Sequence, residues 1–174
     1  VETAWDWSAL RSTLTITTSA DDNLYSITGS RSEGKVLNLI NDTSNLEMTY
    51  QTQNWFDNKE YIQDAVTGAP QYYTYSGVDT NDDCQIKIYP TPDKAYTLRA
   101  RVVLRNVALS SDSDTLAIPS APVLHMAVAL VARERGETGG TSTAEYFNIA
   151  DKHLSDAIAL DAQKHPEETI FYTP

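Results

Sequence analysis

The chain has 174 residues, of which 41% are hydrophobic and 21% charged, values typical of a globular protein with its own core. Its net charge of −11 argues against tight wrapping of nucleic acid, because phosphate binding needs clustered Lys and Arg, but it is compatible with DNA sliding past the protein. The single cysteine, Cys84, excludes an internal disulfide framework and a multi-cysteine zinc site.

The first part of the chain predicts a β-rich module over residues 12–109, preceded by the end of an N-terminal helix at 1–11. Thr13–Thr18 alternates Thr with aliphatic residues, which is the period of a half-buried strand. Leu24–Ile27 follows after a turn, so the two strands are predicted to form a hairpin. A third strand is predicted at Lys35–Ile40.

A helical insertion is predicted near 46–62, where large apolar residues recur in a mostly polar run; a long decorated loop is the alternative. Further strands are predicted at Gln71–Tyr75, Cys84–Tyr89 and Tyr96–Val107. On the last of these, one face carries Leu98, Ala100, Val102 and Leu104, and the other carries Arg99, Arg101, Val103 and Arg105.

The last third predicts an antiparallel helical hairpin over 110–164. Ser120 caps a first helix that runs to about Glu134, and a second helix begins near Thr143 and stops at Pro166. Glycines 136, 139 and 140 form the turn between them. The apolar stripes at helical spacing are Val123, Ala127, Leu130 and Val131 on the first helix and Phe147, Ala150, Leu154, Ala157 and Ile158 on the second. The fold class is therefore α+β: an antiparallel β-sandwich-like module between an N-terminal helix remnant and the helical hairpin.

No residue pattern predicts a catalytic site, a cofactor site or a metal site. Most acidic residues stand in polar runs that are typical of solvated turns, and Glu47 and Glu60 are the best candidates for paired catalytic acids. Residues 79–83 begin like a calcium loop, but Cys84 stands where the turn glycine belongs. His125 and His153 lie on opposite helices of the hairpin, where a packing role or a surface role is more common than a shared metal ion.

Two apolar groups are predicted to contact partners. The first is the aromatic set Trp55, Phe56 and Tyr61, because Tyr and Trp favour interfaces; a carbohydrate groove is the alternative use of such a surface. The second is the apolar triplet Ile170, Phe171 and Tyr172 in an extended tail at 165–174. This triplet is expected to become ordered on a partner, or else to pack back onto its own helices.

Several blocks appear in a recognisable order along the chain. They are Trp5–Leu10 before a Thr-rich strand and Tyr25, Gly68–Tyr73, Ile86–Tyr96 with its Tyr-Pro-Thr-Pro-Asp sequence, and Leu116–Pro119 after Asp112 and Asp114. This order resembles the head-to-tail adaptor family of tailed bacteriophages, also called connector or tail tubular protein A-like.

The resemblance implies a non-enzymatic virion protein made in the host cytoplasm, without a membrane segment. It implies a dodecameric ring under the portal, with DNA passing through its channel without specific binding. The tail triplet would contact the portal protein, and the aromatic set would contact the tail nozzle, the next tail component or a neighbouring copy. A carbohydrate-binding β module and a phage cell-wall hydrolase are the alternative functions.

Overall fold

The protein divides into two compact units in a computed structural model that describes residues 1–64, 66–106, 109–134 and 142–165. The helical unit comprises Val1–Leu10 and Asn106–Pro174, and the sheet unit comprises Arg11–Arg105. The β-rich and helical parts of the chain are thus separate compact units, and the mixed α+β class that the sequence predicts is confirmed.

The sheet unit contains one seven-stranded sheet that approaches a barrel. Its strands are β1 (Arg11–Thr17), β2 (Leu24–Ser26), β3 (Lys35–Asn41), β4 (Leu46–Tyr50), β5 (Tyr72–Val78), β6 (Cys84–Tyr89) and β7 (Thr97–Val103). The spatial order is β1-β7-β3-β4-β5-β6-β2. All neighbours are antiparallel except β4 and β5, which are parallel. The strands therefore lie in a single sheet and do not form the two facing sheets of the predicted sandwich.

The core of this unit lies on the concave side of the sheet, where alternate side chains of the strands converge. On β7, Leu98, Ala100 and Val102 are completely buried while Arg99 and Arg101 are exposed, as the period of two predicts. The same cluster includes Ile27, Leu39, Met48, Tyr73, Ile86 and Ile88. Strand β7 thus contributes one apolar face to the core and one basic face to the surface.

The predicted hairpin between the first two strands is wrong. Strand β1 pairs with β7 and strand β2 pairs with β6, so the two sequence neighbours stand at opposite ends of the strand order. The turn between them is fastened locally, because the Tyr25 hydroxyl accepts a hydrogen bond from the Ser19 N–H and lies 2.8 Å from the Asp22 carbonyl. Turn residues indicate that the chain changes direction. They do not specify which strand of the sheet the next strand pairs with.

The helical insertion predicted near 46–62 is correct only in its second half. Leu46–Tyr50 forms β4, with Met48 buried and its neighbours exposed. The helix α1 is short, Gln53–Asp57, and continues as a π-helical turn at Asn58–Ile62. The Thr52 hydroxyl caps α1 by accepting from the Trp55 N–H.

The helical unit begins with two 3₁₀ turns, Glu2–Ala4 and Ser8–Leu10, where the end of an α-helix was predicted. Its main elements are α2 (Ser120–Glu134) and α3 (Ser142–Ala162). His125 contacts His153, and Arg133 lies over the ring of Phe147. Because these contacts run in opposite sequence order, their register is that of antiparallel helices. The loop between α2 and α3, with its three glycines, lies outside the described residues.

Candidate functional site

The acidic turn at residues 79–83 has a structural use. The Asp79 carboxylate accepts hydrogen bonds from the N–H groups of Asn81 and Asp83, and the Asp83 N–H together with the Ser26 hydroxyl lowers the pKa of Asp79. The Asp83 carboxylate accepts from the N–H groups of Gly29 and Arg31. Both acids therefore hold the β5–β6 turn and the loop beside it. Across the ranges that the structure describes, no three His, Cys, Asp or Glu side chains are grouped to hold a metal ion.

The two acids proposed for hydrolysis differ in their surroundings. Glu60 forms an ion pair with Lys87 and accepts a weak hydrogen bond from Asn23, which ties the π-helical turn to β6 and to the start of β2. Glu47 is exposed on β4, opposite Ile40 of β3. Glu60 thus has a structural role as the partner of Lys87.

The Glu60→Gln variant tests that role. An ion pair near the surface stabilises a fold by no more than about 1 kcal/mol, because solvent screens it. We therefore expect a loss of unfolding free energy of at most about 1 kcal/mol in a urea titration. The effect should disappear when Lys87→Met is already present, since the pair is then broken. An equal loss in both backgrounds would contradict the pairing.

The predicted aromatic set is divided between the interior and the surface. Phe56 is 2% exposed, and the ring of Trp55 packs against Tyr72 at 4.9 Å and Tyr89 at 5.5 Å between ring centroids. Lys59 lies over the same indole ring. These contacts leave Trp55 half-buried among protein groups, so it does not present the fully open ring on which a sugar would stack.

The exposed part of this region is the end of the π-helical turn. Tyr61 is 75% exposed and Ile62 is 76% exposed, whereas large apolar residues elsewhere in the sheet unit are mostly in the core. Trp55 and Phe56 anchor the segment to β5 and β6 through their ring contacts. The anchored segment therefore presents two adjacent apolar side chains to solvent, the arrangement of an interface anchor.

The outer side of α2 is an exposed apolar surface in the described part of the helical unit. From Ser120 to Ala132 the helix contains no Asp, Glu, Lys or Arg. Its buried residues are small, Pro122, Ala129 and Ala132. Its larger aliphatic residues are exposed; they are Leu124 (62%), Val128, Leu130 and Val131. We call Leu124, Val128 and Val131, which follow one another at helical spacing, the α2 stripe.

The two histidines on the helices do meet. The imidazole rings of His125 and His153 stack in parallel with centroids 4.2 Å apart. In stacked rings the nitrogen lone pairs lie in parallel planes and do not converge on one point. The pair therefore packs α2 against α3 and does not form two ligands of a metal ion.

A comparison with protein-family models gives one match, described as SU10 adaptor protein, over residues 2–167. The chain belongs to the SU10 adaptor protein family. This is a family of phage head-to-tail adaptors, so the resemblance seen in the sequence is confirmed. Comparison with curated proteins finds no significant match.

Family membership supports a structural role for the chain in a phage particle, as a virion component that interacts with other head or tail components. Within the described ranges, no helix has the length and apolar character needed to cross a membrane. The features that matter for such a protein are its contact surfaces. The exposed pair Tyr61 and Ile62 and the α2 stripe are two candidate contact surfaces in the described part of the chain.

The predicted tail triplet Ile170, Phe171 and Tyr172 lies outside the described residues of this SU10 adaptor protein. Of the α2 stripe, only Val131 belongs to the apolar stripe predicted from the sequence, and Leu124 and Val128 do not. Ile62 was visible as an apolar residue next to Tyr61.

A further functional residue, Asp161 near the end of α3, gave no sequence signal. Its carboxylate accepts hydrogen bonds from the Ser8 N–H at 2.8 Å and the Trp5 indole N–H at 3.1 Å, and it pairs with Lys164 at 3.0 Å. It is 5% exposed. Burial alone raises the pKa of Asp161, but the hydrogen bonds outweigh it and lower the pKa to about 2. Asp161 therefore fastens the N-terminal segment of the SU10 adaptor protein to α3.

Proposed function

We propose that this SU10 adaptor protein forms a dodecameric ring under the portal, joins the capsid to the tail, and lets DNA pass through the ring. The observation that carries the ring is the outer side of α2. A helix that is apolar all round belongs in an interior, yet four large aliphatic residues of α2 are exposed in the single chain. Contact with another copy of the chain would bury them.

The size of this surface makes self-association favourable. Each aliphatic side chain that moves from water into a contact contributes about 1.5–3 kcal/mol before the costs of association. The α2 stripe and Leu130 place four exposed aliphatic side chains on one helix, whereas a monomer commonly exposes such residues singly. Repetition of one such contact between different faces of identical chains generates a ring when the rotation closes.

The ends of the ring have separate partners in this proposal. The tail triplet Ile170, Phe171 and Tyr172 contacts the portal protein. Tyr61, presented by the segment that Trp55 and Phe56 anchor, contacts the tail nozzle or the next tail component. An acidic channel suits passage of DNA, because a chain with a net charge of −11 repels phosphates and does not retain them.

The native mass of the protein, measured alone and after mixing with portal, tests the ring. We expect a twelvefold or similar closed assembly in at least one of these conditions, since some subunits assemble only on a partner. A chain that stays monomeric at all concentrations and does not bind portal would contradict the proposal.

The double variant Tyr61→Ser with Ile62→Ser tests the tail-side contact. Both side chains are exposed, so we expect the thermal unfolding midpoint to stay within about 2 °C of the wild type. Binding of the next tail component should weaken at least about tenfold, which corresponds to the loss of one buried apolar anchor. Pull-down with purified tail components measures this binding. The control is Val78→Ser, which replaces an exposed apolar residue on β5.

A further inference from the structure

The convex face of strands β1, β7 and β3 is basic in an acidic protein. The strand register places Thr13 beside Arg101 and Asn38, and Thr15 beside Arg99 and Ile40. At the end of the three strands, Arg11 and Lys35 flank Val103. We call these residues the basic face; its members are Arg11, Lys35, Arg99 and Arg101 with Thr13, Thr15 and Thr17.

The outward positions of these three strands carry four cations and no carboxylate. Asp42 follows β3 and pairs with Arg99 at 2.6 Å, and the Arg99 side chain is still 56% exposed. The sheet core does not require arginine at positions 99 and 101, because the inward residues of β7 are Leu98, Ala100 and Val102. The basic face is therefore a feature of the surface that the core of the sheet does not require.

The charge of the chain is divided unequally between the two units. By sequence the helical unit has 12 acidic against 4 basic residues, a net charge of −8, and the sheet unit has 12 acidic against 9 basic residues, a net charge of −3. On α3, Glu145, Asp151 and Asp156 are all exposed. Copies brought together by an apolar contact alone would repel one another over about a Debye length, roughly 10 Å at 0.1 M salt.

We propose that the basic face binds an acidic surface of a second copy of this chain, for which the helical unit offers the most charge. The inference rests on the proposed self-assembly and adds a second, electrostatic contact to the α2 stripe. Arginine and threonine side chains supply the donors that carboxylates accept. A basic face and an acidic face on each chain give a head-to-tail contact, which is the kind that repeats around a ring.

A nucleic acid is the less favoured occupant of the basic face. The face carries no aromatic residue on which bases would stack, and the chain as a whole repels phosphates. The carboxylates of a neighbouring copy are instead held at high effective concentration in any assembly.

Charge reversal by Arg99→Glu with Arg101→Glu tests the contact. Sedimentation of the full chain should show association at least about tenfold weaker than that of the wild type, because like charges would then face each other. Portal protein is added if the wild type assembles only in its presence. Thr13→Glu with Thr15→Glu, which leaves the arginines intact, should give the same loss. The matched control Lys59→Glu with Lys94→Glu makes the same charge change elsewhere on the sheet unit and should associate like wild type. Equal association of all four proteins would overturn the inference.

Carbodiimide cross-linking of mixed ¹⁴N and ¹⁵N chains identifies the occupant, because mixed-isotope links arise only between copies. A link from Lys35 to an Asp or Glu of the other isotope supports the proposal. An assembled protein without such links overturns it while leaving the α2 contact and the ring intact. Retention of DNA at low salt that is lost in Arg99→Gln with Arg101→Gln, without inter-copy links, would assign the face to nucleic acid instead. A chain that never assembles would refute the proposed function itself.

Discussion

Replacing Val128 and Val131 with glutamate is expected to give a folded chain that no longer associates with itself. Both valines are exposed on the α2 stripe, so the single chain tolerates the change. In the assembly each valine contributes about 1.5 kcal/mol or more, and each buried glutamate adds a desolvation cost. The association constant should therefore fall at least about 100-fold, since about 1.4 kcal/mol is tenfold. Sedimentation equilibrium measures this constant.

The control for this variant is Ser155→Glu with Ala159→Glu. It places two glutamates one helical turn apart, four residues rather than three, on exposed positions of α3, so it changes the net charge equally and alters no large apolar residue. Circular dichroism should show the same helix content in both variants and the wild type. Unchanged association of the valine variant would contradict a role for the α2 stripe.

Measurements at high salt distinguish the contribution of the α2 stripe to self-association from the contribution of the basic face. Salt screens ion pairs, with a Debye length of about 3 Å at 1 M, whereas excluded salts such as sulfate strengthen apolar contacts. Association through Val128 and Val131 should therefore persist in sulfate. The contribution of Arg99 and Arg101 should decrease there.

The helices show what periodicity alone can establish. On α3 the predicted stripe is correct in its direction, since Ala150 is buried and Leu154 and Ile158 are half-buried. On α2 the predicted stripe included Leu130 and Val131, which are exposed, while Ala129 and Ala132 are buried. A helix without charges has no polar side, so the sequence cannot distinguish the face that packs within the chain from the face that packs on a partner.

The strands show a second limit of the same kind. Alternation located β1, β3, β6 and β7 closely, and it identified the inward and outward residues of β7. It did not identify partners, because β1 pairs with a strand about 80 residues away in the chain. Strand β4 was predicted as part of a helix since Leu46 and Tyr50, four residues apart, also fit a helical spacing over a short window.

For the candidate surface near residues 55–61, the sequence predicted the segment and its residue types but not which side chains are exposed. The cluster of aromatic residues near 55–61 drew attention to the correct segment, but Phe56 is buried and Trp55 is half-buried against Tyr72 and Tyr89. Which aromatic residue faces solvent depends on how the segment lies on β5 and β6. That placement depends on tertiary packing, so it cannot be deduced from the spacing of the aromatic residues along the sequence.

Asp161 illustrates a contact that joins residues more than 150 positions apart. Its carboxylate is the acceptor for Ser8 and Trp5, and all three residues belong to the helical unit. Asp161 lies in the last turn of α3, so the same carboxylate holds the end of that helix to the N-terminal segment. A loss of Asp161 should therefore reduce the stability of the helical unit.

The Asp161→Asn variant is expected to lose about 2–3 kcal/mol of unfolding free energy at neutral pH, because an amide cannot accept hydrogen bonds from all the donors that the carboxylate binds.

The contribution of the Asp161 carboxylate to the stability of the wild type depends on pH in a defined direction. The folded pKa of Asp161 is about 2, below the ordinary value of 3.8, so the stabilisation is complete above about pH 4 and is lost as the pH falls towards 2. The shift corresponds to about 2 kcal/mol. Urea titrations between pH 7 and pH 2 should show the two proteins converging at low pH. The control Asp156→Asn, an exposed residue on the same helix, should track the wild type, and parallel curves for Asp161→Asn and wild type would show that this carboxylate does not hold the N-terminal segment.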